Sequence, residues 1–308
     1  MATTLVATTD GLHAFDDAGA RREIGFDGRP VTALGRSRDD VWAVVDASEV
    51  WRRSDGRWSH VADLSGFRAT CITAIGPDVF VGSSEARLFR LTEAELEPVE
   101  SFDRVEGRET WFTPWGGPPD TRSIANWDDD VYVNVHVGGI PHTSDGGSTW
   151  APTIDIQADV HHVTTAEGLV LAACARGLAI SSDRGSTWSV RDEGLEAPYA
   201  RAVAVCGDHL LLTASRGPRG GRAGLYRAET SEGPFERLRE GLPDWFDDNI
   251  DTYCLDALPD GSLSAFGTTD GRVFVSHDAG SSWSALTDEL APIRRVLVTP
   301  SSADVSAV

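Results

Sequence analysis

Apolar and polar residues alternate along this chain in short runs broken by clusters of Gly, Asp, Asn and Ser, which is the two-residue period of half-buried β-strands. Six runs open similar units: Val31-Thr-Ala-Leu34, Thr70-Cys-Ile-Thr-Ala-Ile75, Arg122-Ser-Ile-Ala125, Val160-His-His-Val163, Arg201-Ala-Val-Ala-Val205 and Thr252-Tyr-Cys-Leu255. A seventh, Ile293-Arg-Arg-Val-Leu-Val-Thr299, stands near the end of the chain, and its partners Leu5-Val-Ala-Thr8 and Leu12-His-Ala-Phe15 stand at the start. A chain of 308 residues would ordinarily suggest two domains, but a fixed repeat overrides that expectation.

Three turns between strands share one pattern, S/T-x-D-x-G-x-S/T-W. They are Thr143-Ser-Asp145-Gly-Gly147-Ser-Thr149-Trp150, Ser181-Ser-Asp183-Arg-Gly185-Ser-Thr187-Trp188 and Ser276-His-Asp278-Ala-Gly280-Ser-Ser282-Trp283. In such a turn the carboxylate and hydroxyl satisfy nearby backbone N–H groups, Gly takes a positive φ, and Trp is buried against the sheet. Worn copies stand at Ser54-Asp-Gly-Arg-Trp58 and Glu229-Thr-Ser-Glu-Gly-Pro-Phe235. The pattern resembles the Asp-box (BNR) repeat of sialidases, some xyloglucanases, sortilin-type receptors and photosystem-assembly propellers. Across nearly the whole chain the likeness is to bacterial BNR-repeat and exo-sialidase-like proteins of unassigned activity.

The expected fold is therefore all-β: one seven-bladed β-propeller of four-stranded antiparallel blades, with the N- and C-terminal segments sharing a blade so that no edge is left open. Its blades fall at 293–299 plus 3–26, 30–64, 69–101, 121–155, 158–193, 200–240 and 252–288. Antiparallel strands put the Asp turns at one end of each blade and the connections between blades at the other. The longest connection, Ser101 to Thr121, carries Trp111, Trp115 and Asp120, and the next runs from Arg239 to Asp251. Long loops on a rigid scaffold are where function is expected.

Residues opening the first strands would line the mouth of that face: Arg68, Arg122, His161, Tyr199 with Arg201, Asp251 with Tyr253, and Arg294. Clustered guanidinium groups suit a carboxylate, sulfate or phosphate, whereas pairing with acids such as Asp120, Asp247 or Asp251 would make them structural. His136 should lie near His161, and the two could hold a transition metal or be hydrogen-bonded histidines of the core. Trp111 and Trp115 could stack on a sugar ring or pin their loop.

Composition narrows the partners. The formal charge is −21 and all 27 basic residues are Arg, so a phosphate backbone would be repelled and nucleic acid is not expected. Without Lys, the phosphate-binding Gly-rich loop that ends in Lys is excluded. Cys71, Cys174, Cys206 and Cys254 sit singly in apolar runs and read as buried thiols, not as disulfides. No leader-like or membrane-spanning run is apparent, and a cytoplasmic location is expected.

Two functions fit. One is an anion-selective, small-molecule pocket opposite the Asp turns, acting as a hydrolase or lyase on an anionic or glycosidic substrate. The sialidase-like resemblance implies Arg68, Arg122, Arg201 and Arg294 as the carboxylate site, Tyr199 or Tyr253 as nucleophile, and Asp251 or Asp120 as acid/base. The sialidases of that family have six blades and an early Arg-Ile-Pro motif, which this sequence lacks, so true sialidase activity is not expected. The other is a non-catalytic sensor or protein-assembly scaffold. No cofactor is implied beyond the alternative of a metal at His136 and His161.

Overall fold

The structure, a computed structural model, describes residues 2–166, 168–230 and 232–300. Seven four-stranded antiparallel sheets make the fold a seven-bladed β-propeller, as the alternation predicts. Blade 1 joins the two ends of the chain: Ile293–Thr299 pairs antiparallel with Thr3–Thr8, placing Leu5 opposite Leu297 and Val6 opposite Val296. Gly11–Asp16 and Arg21–Gly25 complete it. Blades 2 to 7 begin at Val31, Ala69, Thr121, Val160, Tyr199 and Leu255.

By contacts the chain divides into two compact units, one drawn from Met1–Val31 with Asp192–Val308 and the other from Thr32–Arg191. In the second, the alternating faces of blades 4 and 5 close on a shared core of Tyr132, Ile140, Val160, Val163, Val170 and Cys174. In the first, Leu211, Phe246, Leu255, Phe266, Phe274 and Trp283 form the corresponding core of blades 6 and 7. All four cysteines are buried thiols outside any disulfide.

The three Asp turns repeat one hydrogen-bond set. Thr143, Ser181 and Ser276 donate through their hydroxyls to Asp145, Asp183 and Asp278 at 2.7, 2.8 and 2.8 Å. The same hydroxyls accept from the amides of Gly147, Gly185 and Gly280 at 3.0, 2.8 and 3.0 Å. Each carboxylate also accepts the amide and hydroxyl of Thr149, Thr187 or Ser282, at 2.6 to 2.9 Å. Bonds from the Thr149 amide and hydroxyl hold the Asp145 carboxyl down at about 2, and the Thr187 hydroxyl and amide do the same for Asp183. Trp150, Trp188 and Trp283 each donate their indole N–H, to Ser101 Oγ, Thr153 O and Gly280 O.

Two expectations are corrected. Ser54 to Arg57 is a plain two-residue hairpin turn, with Asp55 and Gly56 both at positive φ, and not a worn clip. The first strand of blade 7 starts at Leu255 instead of Thr252, because Tyr253 adopts a left-handed conformation (φ 60°) and Cys254 bonds back to Asp251 O. The other worn clip, 229–235, includes residue 231, which lies outside the described residues. Its Phe235 is nonetheless buried, as Trp150 and Trp283 of the full clips are.

The structure also shows a repeat that alternation does not reveal. Glu193-Gly-Leu195 and Glu240-Gly-Leu242 leave blades 5 and 6 alike, and each Glu carbonyl accepts the amide of the next aromatic anchor. Phe235 bonds to Glu193 at 2.8 Å and Trp283 to Glu240 at 3.1 Å. The intervening glycines pass so close that an added Cβ on Gly194 or Gly241 would lie 2.0 or 1.6 Å from the anchor's carbonyl oxygen.

Candidate functional site

The strongest constellation lies in the unit of residues 32–191. In blade 4, Val131 pairs with Thr143 at the Asp-turn end, while Thr121 pairs with Val135 at the other. His136 follows Val135 and is fixed there by its amide, which donates to Asp120 O at 3.0 Å. In blade 5, Asp159 closes the short 3₁₀ turn Ile156–Ala158 with φ 51° and ψ 66°, two residues before His161. His161 sits where the pairing register slips by one between Val160 and His162, a β-bulge. A bulge re-aims the side chain it carries, so the period-two alternation does not decide where the His161–His162 pair points.

These placements bring His136 Nε2 to 3.3 Å from Asp159 Oδ1 and His161 Nε2 to 3.5 Å from Asp159 Oδ2. One donor atom from each of the three residues lies within 4.8 Å of the others. His161 is fully buried and His136 nearly so, while the Asp159 side chain is 31% exposed. Burial opposes ionisation of Asp159, but hydrogen bonding and charge from His136 and His161 outweigh it and hold this carboxyl well below the usual range. Sequence reasoning named both histidines and missed Asp159. The available signal was the spacing Asp159-Val-His161.

Beside this group the 101–120 connection folds into two layers. Trp111 is buried against Phe102 and under the Arg108 guanidinium, which also bridges to Asp103 at 3.3 Å. Its ring is buried within the loop, the loop-pinning alternative of the two weighed for it. Thr113 to Gly117 then make a tight turn: the Thr113 amide donates to Gly117 O at 3.1 Å and its hydroxyl to Gly116 O at 2.9 Å. The tip of that turn presents Trp115, 70% exposed, with its ring 5.3 Å from that of His136. Phe112 is 60% exposed in the same loop.

Most of the remaining candidates are engaged with one another. Arg68 reaches Asp120 at 3.2 Å. Arg122 occupies a bulge of its own, between Thr121 and Ser123, and is half-buried. In the other unit Arg201, again at a bulge, lies 3.7 Å from Asp251 and over the Tyr199 ring at 5.2 Å. Tyr253 carries the Arg295 guanidinium at 5.5 Å, and Arg294 is exposed. Arg68 and Arg201 thus each have an acid within reach, Asp120 and Asp251 respectively.

No family model matches the chain, and no curated protein matches it. Among solved structures it is similar to YCF48 from Cyanidioschyzon merolae, at 15% identity and TM-score 0.59 over 85% of this chain and 87% of that one. YCF48 bound to D1 peptide gives 14% identity and TM-score 0.61, over 96% and 95% of the two chains. An ancestral GH74 enzyme gives 15% identity and TM-score 0.60, with 87% of this chain covering 38% of that longer one. At these identities the shared property is the fold. Among the described residues no helix is long and apolar enough to cross a membrane.

Proposed function

We propose that this protein is an Asp-box propeller that binds a small, hydroxyl-rich ring ligand, such as a carbohydrate, at the end of blades 3 to 5 opposite the Asp turns. The carrying observation is Trp115: a large aromatic face, 70% exposed, set on a hydrogen-bonded turn beside His136. An indole costs little entropy to present and stacks on the apolar face of a sugar ring, while nearby polar groups take its hydroxyls. Asp159, partly exposed and ionised, supplies an acceptor next to that platform. The pairing of Arg68 and Arg201 with acids argues for this reading over an arginine-lined anion pocket.

Titration of intrinsic fluorescence with a panel of neutral and acidic oligosaccharides tests it. Binding by the native protein, lost in Trp115→Ala at an unchanged melting temperature, is the expected result. Equal binding by both proteins would remove Trp115 from the site. A second reading, capture of a peptide, is favoured by the exposure of Phe112 in the same loop. A structural neighbour has been solved with a peptide bound. Peptide-array binding that needs both Phe112 and Trp115, without saccharide binding, would favour it.

A further inference from the structure

We infer that His136, Asp159 and His161 form a binding site for a divalent transition-metal ion. The inference goes beyond ligand binding at Trp115 and stands without it.

Distance carries the first step. Charge-assisted N–H···O bonds run at about 2.7–2.9 Å, and the other His–Asp pairs of this unit stay close to that range. His142 lies 2.5 Å from Asp130 and His60 lies 3.0 Å from Asp63. The two contacts to Asp159 are longer, at 3.3 and 3.5 Å. An ion bound at roughly 2.0–2.1 Å in a tetrahedron requires ligand–ligand edges of roughly 3.3–3.4 Å. The two contacts fall on different oxygens of Asp159, and with one donor atom taken from each residue the three lie within 4.8 Å of one another, a set that would contract toward those edges on closing around an ion.

Backbone geometry carries the second step. Asp159 is held in the left-handed region (φ 51°) by its own amide, bonded to Ile156 O, and by its carbonyl, which accepts from Ala175. Asp is one of the few L-residues that adopt that conformation readily. His161 is turned by a bulge and His136 is pinned through Asp120 O, so each donor has its own backbone device. Chemistry carries the third step. Two imidazole nitrogens and one carboxylate suit Zn²⁺, Fe²⁺ or Co²⁺, whereas Ca²⁺ and Mg²⁺ take oxygen ligands. Three protein ligands leave a coordination position open to solvent or ligand, and the exposed part of Asp159 gives the ion a way in.

The test uses tag-free, chelator-treated full-length protein titrated calorimetrically with Zn²⁺, and with Co²⁺ while the visible d–d bands are followed. One equivalent of Zn²⁺ should bind, Co²⁺ should show the intense bands of a low-coordinate site, and Ca²⁺ and Mg²⁺ should give no heat. Asp159→Asn keeps a side chain that tolerates the left-handed backbone. It and His161→Gln should each weaken Zn²⁺ binding by more than about 100-fold, the upper end of what losing a mere supporting group costs. His142→Gln should leave binding unchanged. Absence of stoichiometric Zn²⁺ binding by the native protein overturns the inference whatever the variants do. So does Zn²⁺ binding that survives in folded Asp159→Asn and His161→Gln. Loss of saccharide binding in Trp115→Ala with Zn²⁺ binding intact would leave both readings standing, whereas Zn²⁺ binding without any saccharide binding would refute only the proposed ligand.

Discussion

Gly241 offers the sharpest test of how the blades are anchored. A Cβ placed on it would lie 1.6 Å from the Trp283 carbonyl oxygen, and real Cβ contacts stop near 3.0 Å, so the two segments would have to part by ~1.4 Å. Parting breaks the Trp283 amide bond to Glu240 O and loosens Trp283 on Phe266, whose rings are 5.0 Å apart. The lost bond is worth about 0.5–1.5 kcal/mol and the overpacking about 1–3 kcal/mol. Left-handed backbone adds a further penalty for Ala, and Gly56 isolates it. Gly56 shares φ +75° with Gly241 but has nothing within 4 Å of its would-be Cβ. Subtracting Gly56→Ala from Gly241→Ala should therefore leave about 1.5–4.5 kcal/mol. At about 2 °C per kcal/mol for a chain of this size, Gly241→Ala should melt about 3–9 °C below Gly56→Ala. Circular dichroism melts at one scan rate, with Trp fluorescence in parallel, measure the difference. Melting within about 1 °C of each other would mean that the Glu240–Trp283 contact anchors nothing.

Two further outcomes follow from groups whose ionisation the fold alters. The Asp145 and Asp183 carboxyls are held at about 2, below their ordinary 3.8, so their contribution is complete above the ordinary value and is lost as pH falls from there through about 2. The melting temperature of the native protein should fall more steeply over that window than that of the double variant Asp145→Asn/Asp183→Asn, and parallel curves would contradict the turn assignment. Burial raises the Cys174 and Cys206 thiols and pushes Cys254 up to about 12. With Cys71 also buried, a thiol reagent at pH 8 should modify none of the four cysteines in the native protein and all four after unfolding, and rapid native labelling would refute their burial.

The blades were legible because both their signals are local. Alternation marks each strand, and the Asp turn closes its bonds within seven residues, so neither needs knowledge of distant partners. The Glu-Gly-Leu anchors are just as visible in the chain, yet their meaning depends on an aromatic residue some forty positions on. Loop chemistry was legible only as residue types. Arg68 precedes blade 3 and Asp120 ends the long connection that follows it, and whether they meet is decided by how that loop folds. Asp159 was hidden among 48 acids, with only its nearness to His161 to mark it. The bulges at Arg122, His161 and Arg201 leave no trace in an alternating pattern, although they change the direction of the side chains that alternation was used to place.

Those bulges explain why one end of a blade can be rigid and the other inventive. At the Asp-turn end, the carboxylate, hydroxyl and amide groups are satisfied within the turn, and the indoles of Trp150 and Trp188 reach beyond it, to Ser101 and Thr153. At that opposite end the first strand slips register as it enters the sheet, which frees one residue per blade from the ladder without unpairing the rest. Thr70, Arg122, His161 and Arg201 occupy this slipped position in blades 3 to 6. The same backbone device thus presents a hydroxyl, two guanidinium groups and an imidazole. In blade 4 the residue so presented is Arg122, and in blade 5 it is His161, whose Nε2 lies 3.5 Å from Asp159.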